Sequence, residues 1–131
     1  MAEIPAAVQD FIGKYIHSLS QLEILLLLRD RFGDKLASAD VAKALLMHPP
    51  AVEPILESLR RSGLVAVHDI SGRRHYQFSP AKHASVIDEL EKWYKSHPVS
   101  ITTLIFSKPI DKIRGFADSF RLRKNEEEEE E

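Results

Sequence analysis

Residues Ser38 to Pro80 read SADVAKALLMHPPAVEPILESLRRSGLVAVHDISGRRHYQFSP. Ser38 is a residue type favoured at helix N-caps, and apolar residues then recur at helical spacing over 39–47. A second amphipathic pattern covers 50–62, and Gly63 follows it in the position of a C-terminal cap. Two short helices joined by a proline-containing turn are therefore predicted.

A short hairpin follows the second of these helices. The runs Val65–Val67 and Tyr76–Phe78 favour strands, and Ser71-Gly72 between them is a turn signal. Two arginines, Arg73 and Arg74, stand at the predicted tip. Helix, turn, helix and hairpin in this order is the arrangement of a winged helix-turn-helix, so the sequence predicts a mainly α fold with a small β-hairpin wing.

Two further helices are predicted before this stretch. The first covers 5–16, where apolar residues recur at helical spacing. The second begins at Ser20, because a serine hydroxyl followed three residues later by the Glu23 carboxylate forms a capping box, and it runs to about Phe32. This second helix is apolar nearly all round, so we expect it at the centre of the core.

Helices are also predicted after the hairpin. Ser79-Pro80 is typical of an N-cap and first helical position, and the helix that it opens ends near His97. The segment 99–106 alternates like a strand but stands between two prolines; helix is favoured because the neighbouring segments are helical and no partner strand is evident. A last amphipathic helix is predicted over 109–123.

The length and composition indicate one domain. At 131 residues, of which 44% are hydrophobic, the chain is long enough to bury a core. We expect a single winged-helix domain over 1–124, with its core at 19–80 and flanking helices at 5–16 and 81–123, followed by a disordered acidic tail at 125–131.

The charge of the chain is unevenly distributed. The net charge is −2, but six of the 20 acidic residues form the terminal run Glu126–Glu131. Without that run, 18 basic residues stand against 14 acidic ones, so the body is mildly basic, with a net charge of +4. The chain has no cysteine, which excludes disulfides and fits a cytoplasmic location. No signal peptide or membrane span is predicted.

Three pieces of the quoted stretch carry a family resemblance. They are Val41–Leu45, the run Leu59-Arg60-Arg61-Ser62-Gly63-Leu64-Val65, and Phe78-Ser79-Pro80. Over about 38–82, a third of the chain, the sequence resembles winged-helix bacterial regulators of the MarR and ArsR type. This resemblance implies a DNA-binding transcriptional regulator whose flanking helices, here 5–16 and 81–123, build a homodimer.

Basic residues cluster on the predicted wing and at the end of the second helix. Arginines on a wing can contact phosphates or enter a minor groove. The alternative interpretation is an ordinary solvated surface, where most charged side chains lie. The candidate contacts to double-stranded DNA are Lys43, Arg60, Arg61, Arg73, Arg74 and His75.

The outward face of the second helix lacks the residues that usually read DNA. It carries Pro50, Glu53, Pro54 and Glu57. Carboxylates repel phosphates and proline has no donor, so we expect DNA shape, rather than base edges, to supply much of any selectivity. The same face suggests an alternative function, a winged-helix protein–protein interaction module that binds a protein partner and does not bind DNA specifically.

Metal binding and catalysis are not expected. His83, Asp88 and His97 follow the wing, where ArsR-type sensors often hold metal, but the acid-x-His spacing typical of those sensors is missing at His83. Ordinary surface or capping histidines are therefore the preferred interpretation. No glycine-rich phosphate loop, nucleophile elbow or HExxH-type run is present, so neither an enzyme nor a cofactor is predicted.

Overall fold

The computed structural model describes residues 3–107 of the chain. Within that range lie six α-helices and a two-stranded antiparallel sheet, which confirms the predicted mainly α fold with a β-hairpin wing. The predicted helix over 109–123 and the acidic tail over 125–131 lie outside the described residues. In chain order the elements are α1 Ala6–Tyr15, α2 Leu19–Asp30, α3 Ser38–Leu45, α4 Pro49–Arg61, β1 Val65–Ile70, β2 Arg73–Phe78, α5 Ala84–Ser96 and α6 Pro98–Ser107.

The central helix is α2, as its apolar composition predicts. Leu22, Ile24 and Leu25 have no exposed surface. The helix packs against α3, α4 and β2, so it supports the helix-turn-helix and the wing at once. Each fully buried side chain of this size stabilises the fold by about 1.5 to 3 kcal/mol.

The N-cap of α2 lies two residues earlier than predicted. The Ser18 hydroxyl accepts a hydrogen bond from the Gln21 N–H at 3.0 Å, and the Gln21 carboxamide oxygen accepts one from the His17 N–H at 2.6 Å. These two bonds satisfy N–H groups at the start of the helix. The prediction that Ser20 caps the helix is therefore wrong, because the earlier serine has the partner that reaches back.

The N-cap of α3 also differs from the prediction by one residue. Ala37 occupies the cap position, and its N–H donates to the Asp40 carboxylate at 3.0 Å. Ser38 is consequently the first residue of the helix rather than its cap. At the other end, Leu46 takes a left-handed conformation with φ of 55° and starts the turn into α4. α4 then opens on Pro49, a position where the missing proline N–H costs no helical bond.

The wing is longer than predicted, with six residues in each strand. β1 pairs with β2 from Val65 opposite Phe78 out to Ile70 opposite Arg73. Ser71 and Gly72 join the strands with φ of 53° and 79°, the left-handed pair that a tight type I′ turn requires. At its base the hairpin gains a third, single-residue strand that the sequence analysis missed, because Leu36 pairs with Tyr76.

Two helices pack beside the winged-helix core. The prediction that a helix opens at Ser79-Pro80 is wrong: Ala81, with φ of 52°, begins a short 3-10 turn, and α5 starts at Ala84. The predicted helix over 99–106 is confirmed, since α6 covers Pro98–Ser107 and buries Ile101 and Ile105. α6 packs against both α5 and α1.

An ion-pair cluster joins α5 to the central helix. The Arg29 guanidinium of α2 donates to the Asp88 carboxylate at 2.6 Å and to the Glu91 carboxylate at 2.8 Å. The first of these hydrogen bonds, to Asp88, is the main cause that raises the pKa of Arg29. Asp88, one of the three side chains weighed as a metal ligand, is therefore held by an arginine.

Over residues 3–107, no single helix has both the length and the apolar composition needed to cross a membrane. α1 and α2 pass that test only as a pair, and their axes are bent by 109° relative to each other.

Candidate nucleic-acid interface

The outer surface of α4 is uncharged over its first half. Val52, Leu56 and Leu59 form the fully buried stripe of this helix. Pro50 and Pro54 lie on the opposite side and are exposed, one turn apart. Neither proline nitrogen carries a hydrogen, so these two residues offer no donor to a ligand.

The two carboxylates of α4 turn sideways toward the wing. The hydroxyl of Tyr76, on β2, lies 2.9 Å from a Glu53 carboxylate oxygen and 2.7 Å from a Glu57 carboxylate oxygen. The Tyr76 side chain is fully buried against the core. Glu53 and Glu57 are therefore hydrogen-bonded to the wing and half-buried, whereas the sequence analysis expected them on the outward face of α4.

Glu57 also holds two of the candidate DNA-binding arginines. It accepts a hydrogen bond from Arg60 Nε at 3.0 Å and another from Arg74 Nη1. The Glu57 side chain is 19% exposed, whereas Arg60 and Arg74 are 41% and 53% exposed. The hydrogen bond from Tyr76, followed by those from Arg60 and Arg74, lowers the pKa of Glu57 to about 2. Glu57 is therefore a carboxylate at neutral pH.

The other predicted DNA contacts lie on the surface outside this network. Lys43, Arg61 and Arg73 are exposed. Within residues 3–107 none of these three makes an ion pair or a side-chain hydrogen bond. His75 is half-buried, and its Nδ1 atom lies 3.1 Å from the Arg73 carbonyl oxygen, which can only accept a hydrogen bond.

An open cleft separates the wing from the start of α3. Its volume is about 450 Å³, and Arg73, Arg74 and Glu53 line one side of it. The other side is formed by the first turn of α3, where helical N–H groups carry partial positive charge. The wing arginines and the N-terminus of α3 thus face the same space.

Tyr76 is the site residue that the sequence analysis missed. It entered that analysis only as a strand residue. Alternation along β2 places Tyr76 and Phe78 on the buried face, and spacing of four residues places Glu53 and Glu57 on one side of α4. Those two patterns were available, but only the folded chain shows that the hairpin brings the hydroxyl between the two carboxylates.

The histidines weighed as metal ligands lie against aromatic rings. The His83 ring is 5.5 Å from that of Phe11 and 5.0 Å from that of Tyr15, and the His97 ring is 4.8 Å from that of Trp93. No group of three histidine, aspartate or glutamate side chains suited to a metal ion occurs within residues 3–107.

Similarity to solved structures identifies the fold class of the chain. No protein-family model and no curated protein matches the chain. Solved structures do match: the chain is 23% identical to HlyU from Vibrio cholerae N16961, covering 73% of this chain and 98% of that one, with a TM-score of 0.52. It is 19% identical to the protein in a MepR–DNA complex from S. aureus, covering 85% and 89%, with a TM-score of 0.52.

A third similar structure is a homodimeric winged helix-turn-helix DNA-binding domain, fragment 1–100 of Mb0332 from Mycobacterium bovis, described as a possible ArsR-family transcriptional regulator. The identity is 21%, the coverage 74% of this chain and 93% of that one, and the TM-score 0.55. At these identities the likeness establishes the fold: the chain is a winged helix-turn-helix protein, as its sequence predicts.

Proposed function

We propose that this protein is a DNA-binding transcriptional regulator of the winged-helix type. The observation that carries the proposal is an arginine-tipped wing beside an exposed helix-turn-helix, with Arg73 and Arg61 unpaired within residues 3–107. The similar MepR structure contains DNA, and the similar Mb0332 domain is a DNA-binding one. Cytoplasmic location is part of this proposal, since the function requires access to DNA.

The mechanism that we propose relies on phosphates and on groove shape. Arg73 and Arg61 supply guanidinium groups that suit phosphate oxygens, and Lys43 adds a third unpaired cation. Pro50 and Pro54 cannot donate to base edges, so α4 reads the fit of the groove more than its hydrogen-bonding pattern. We expect His75 to support the wing tip through its contact with the Arg73 carbonyl.

We also propose that the protein acts as a homodimer through its flanking helices. α1, α5 and α6 pack against one another beside the winged-helix core. α6 contains no charged residue, and its Val99 side chain is 76% exposed. The domain that we expect to fold and dimerise is 1–124, with 125–131 as an acidic tail.

The alternative function, a module that binds a protein partner, has less support from the site. The surface assigned to that partner was Pro50, Glu53, Pro54 and Glu57. Two of these four residues bond to the wing tyrosine, which leaves only the prolines facing outward. Leu46, which is 93% exposed in the turn between α3 and α4, is an observation that favours a protein contact at this end of α4.

A mobility-shift titration tests the function. Wild-type protein and mixed genomic fragments are compared at low and moderate salt, with Arg73→Ala as the test variant. We expect the variant to weaken binding and to reduce the slope of log affinity against log salt by about 1. Lys92→Ala, which removes an exposed cation of α5, is the matched control and should change neither quantity. Absence of any shift by the wild type at low salt would refute the proposal.

A further inference from the structure

We propose that Glu57 holds Arg60 and Arg74 against α4 and thereby limits the affinity of the protein for DNA. This inference rests on the proposed function and goes beyond it by assigning a role to an acidic residue. A carboxylate beside the wing repels DNA phosphates, so its presence in a DNA-binding protein calls for a further role. Its contacts show what it does.

The Glu57 carboxylate is surrounded by the kinds of hydrogen-bond donor that also bind a DNA phosphate group. Two guanidinium groups and one hydroxyl donate to it, from Arg60, Arg74 and Tyr76. Guanidinium groups recognise carboxylates and phosphates with the same planar geometry. A DNA phosphate that approaches the wing must therefore compete with Glu57 for donors that are already engaged.

The residues of this network differ in how far they are exposed to solvent and therefore to DNA. Glu57 is 19% exposed and Tyr76 is fully buried, so the carboxylate has a fixed position. Arg60 and Arg74 are 41% and 53% exposed, so DNA can reach them without unfolding the site. Glu57 pairs with both of these arginines, whereas Arg61 and Arg73 make no ion pair within residues 3–107.

This arrangement weakens phosphate contacts that DNA of every sequence offers. Binding to arbitrary sequences depends almost wholly on phosphate contacts, whereas a fitting site adds groove contacts and shape. Weakening two phosphate contacts therefore lowers the background affinity and leaves the contribution of groove fit in place. Release of the two arginines should accordingly raise the affinity for every sequence by a similar factor.

Glu57→Gln tests the inference, because glutamine keeps an oxygen for the Tyr76 hydroxyl and removes the charge. The probe is a short mixed-sequence duplex titrated between about 50 and 200 mM salt. We expect the variant to bind roughly tenfold more tightly at the low-salt end, with a slope steeper by about 1 to 2. Equal or weaker binding by the variant would overturn the inference.

Asp69→Asn is the matched control. Asp69 lies directly opposite Arg74 in the hairpin register and makes no ion pair within residues 3–107. The substitution removes one negative charge from β1, beside Arg74, and leaves the hydrogen bonds and ion pairs of Glu57 on α4 in place. An increase in affinity equal to that of Glu57→Gln would show a general charge effect and refute the specific role of Glu57.

Arg74→Ala, made in both backgrounds, isolates the contact itself. We expect a small loss of DNA affinity when Glu57 is present and a larger one, about tenfold, when glutamine replaces it. Equal losses in both backgrounds would contradict the inference. Glu57→Asp provides a second variant, since it keeps the charge but shortens the reach to the wing; it should fall between wild type and Glu57→Gln.

Failure of the inference and failure of the proposed function give different results. If wild-type protein shifts no duplex at low salt, the DNA-binding function is wrong. If the wild type binds and Glu57→Gln binds identically while far-ultraviolet circular dichroism shows it folded, only the role of Glu57 is wrong.

Discussion

Tyr76 joins three parts of the molecule that are distant in sequence. Its backbone N–H and carbonyl bond to Leu36 at 2.7 and 2.9 Å, its ring is buried in the core, and its hydroxyl lies between Glu53 and Glu57. Burial, followed by the two neighbouring carboxylates, raises the pKa of Tyr76. The phenol therefore keeps its proton at neutral pH and acts as a hydrogen-bond donor.

Removal of that hydroxyl should destabilise the fold. Tyr76→Phe keeps the buried ring but leaves two carboxylates at the junction of α4 and the wing without their shared donor. We expect the free energy of unfolding to fall by about 1 to 3 kcal/mol, measured by urea denaturation. Tyr15→Phe is the control: the Tyr15 hydroxyl makes no hydrogen bond within residues 3–107, so little change is expected.

Glu57 should contribute an acid-dependent part of the stability. Its pKa is lowered from 4.5 to about 2 in the folded chain, chiefly by the Tyr76 hydrogen bond, so the unfolded state binds protons more readily. The contribution is complete above about pH 4.5 and is lost as the pH falls toward 2. Thermal unfolding across this range should show a shallower loss for Glu57→Gln than for wild type; identical profiles would contradict the assignment.

At the scale of single elements, the wing depends on its turn. Ser71 and Gly72 both take positive φ, a conformation that costs most residues about 1 to 2 kcal/mol. Gly72→Ala should therefore lower the free energy of unfolding by about that amount, measured by thermal or urea denaturation. Ser71→Ala exchanges one β-carbon for another at the neighbouring position and should have a much smaller effect.

The elements themselves were largely predictable from the chain. Helical periodicity located α1 to α5, and Gly63 with φ of 79° marks the end of α4 as expected. The segment of α6 alternates like a strand, and helix is favoured there because the neighbouring segments are helical and no partner strand is evident. Caps were less predictable, because Ser18 and Ser20 are equally good cap residues and only the position of Gln21 decides between them. The Leu36 strand was missed since a single-residue bridge leaves no pattern in the sequence.

The candidate site was predictable only in part. Sequence reasoning found the basic residues of the wing and α4, and it recognised that the outward face of α4 is poor in donors. It could not find that Glu57 pairs with Arg74, because the two are 17 residues apart and meet only through the hairpin fold. Helical spacing gives the face of a side chain, while its partner depends on the tertiary packing.

At the scale of the whole molecule, the proposed dimer has a direct test. Val99 on α6 is 76% exposed, so Val99→Glu should leave the fold intact while placing a charge on the expected dimer face. We expect sedimentation of the full chain to shift from dimer toward monomer. Leu46→Glu, at an even more exposed apolar position in the helix-turn-helix, should sediment as wild type. A dimer that survives Val99→Glu would place the interface elsewhere.

The double anchoring of Tyr76, to Leu36 through the backbone and to α4 through the hydroxyl, limits how far the wing can extend its contacts. Arg73 lies only three residues along β2 from that anchor, and a strand advances about 3.3 Å per residue. The guanidinium-bearing tip therefore starts roughly 10 Å from a fixed point, a distance that corresponds to about three base-pair steps. The wing's own footprint on a duplex should be correspondingly short, so that a longer protected region must come from the helix-turn-helix or from a second subunit.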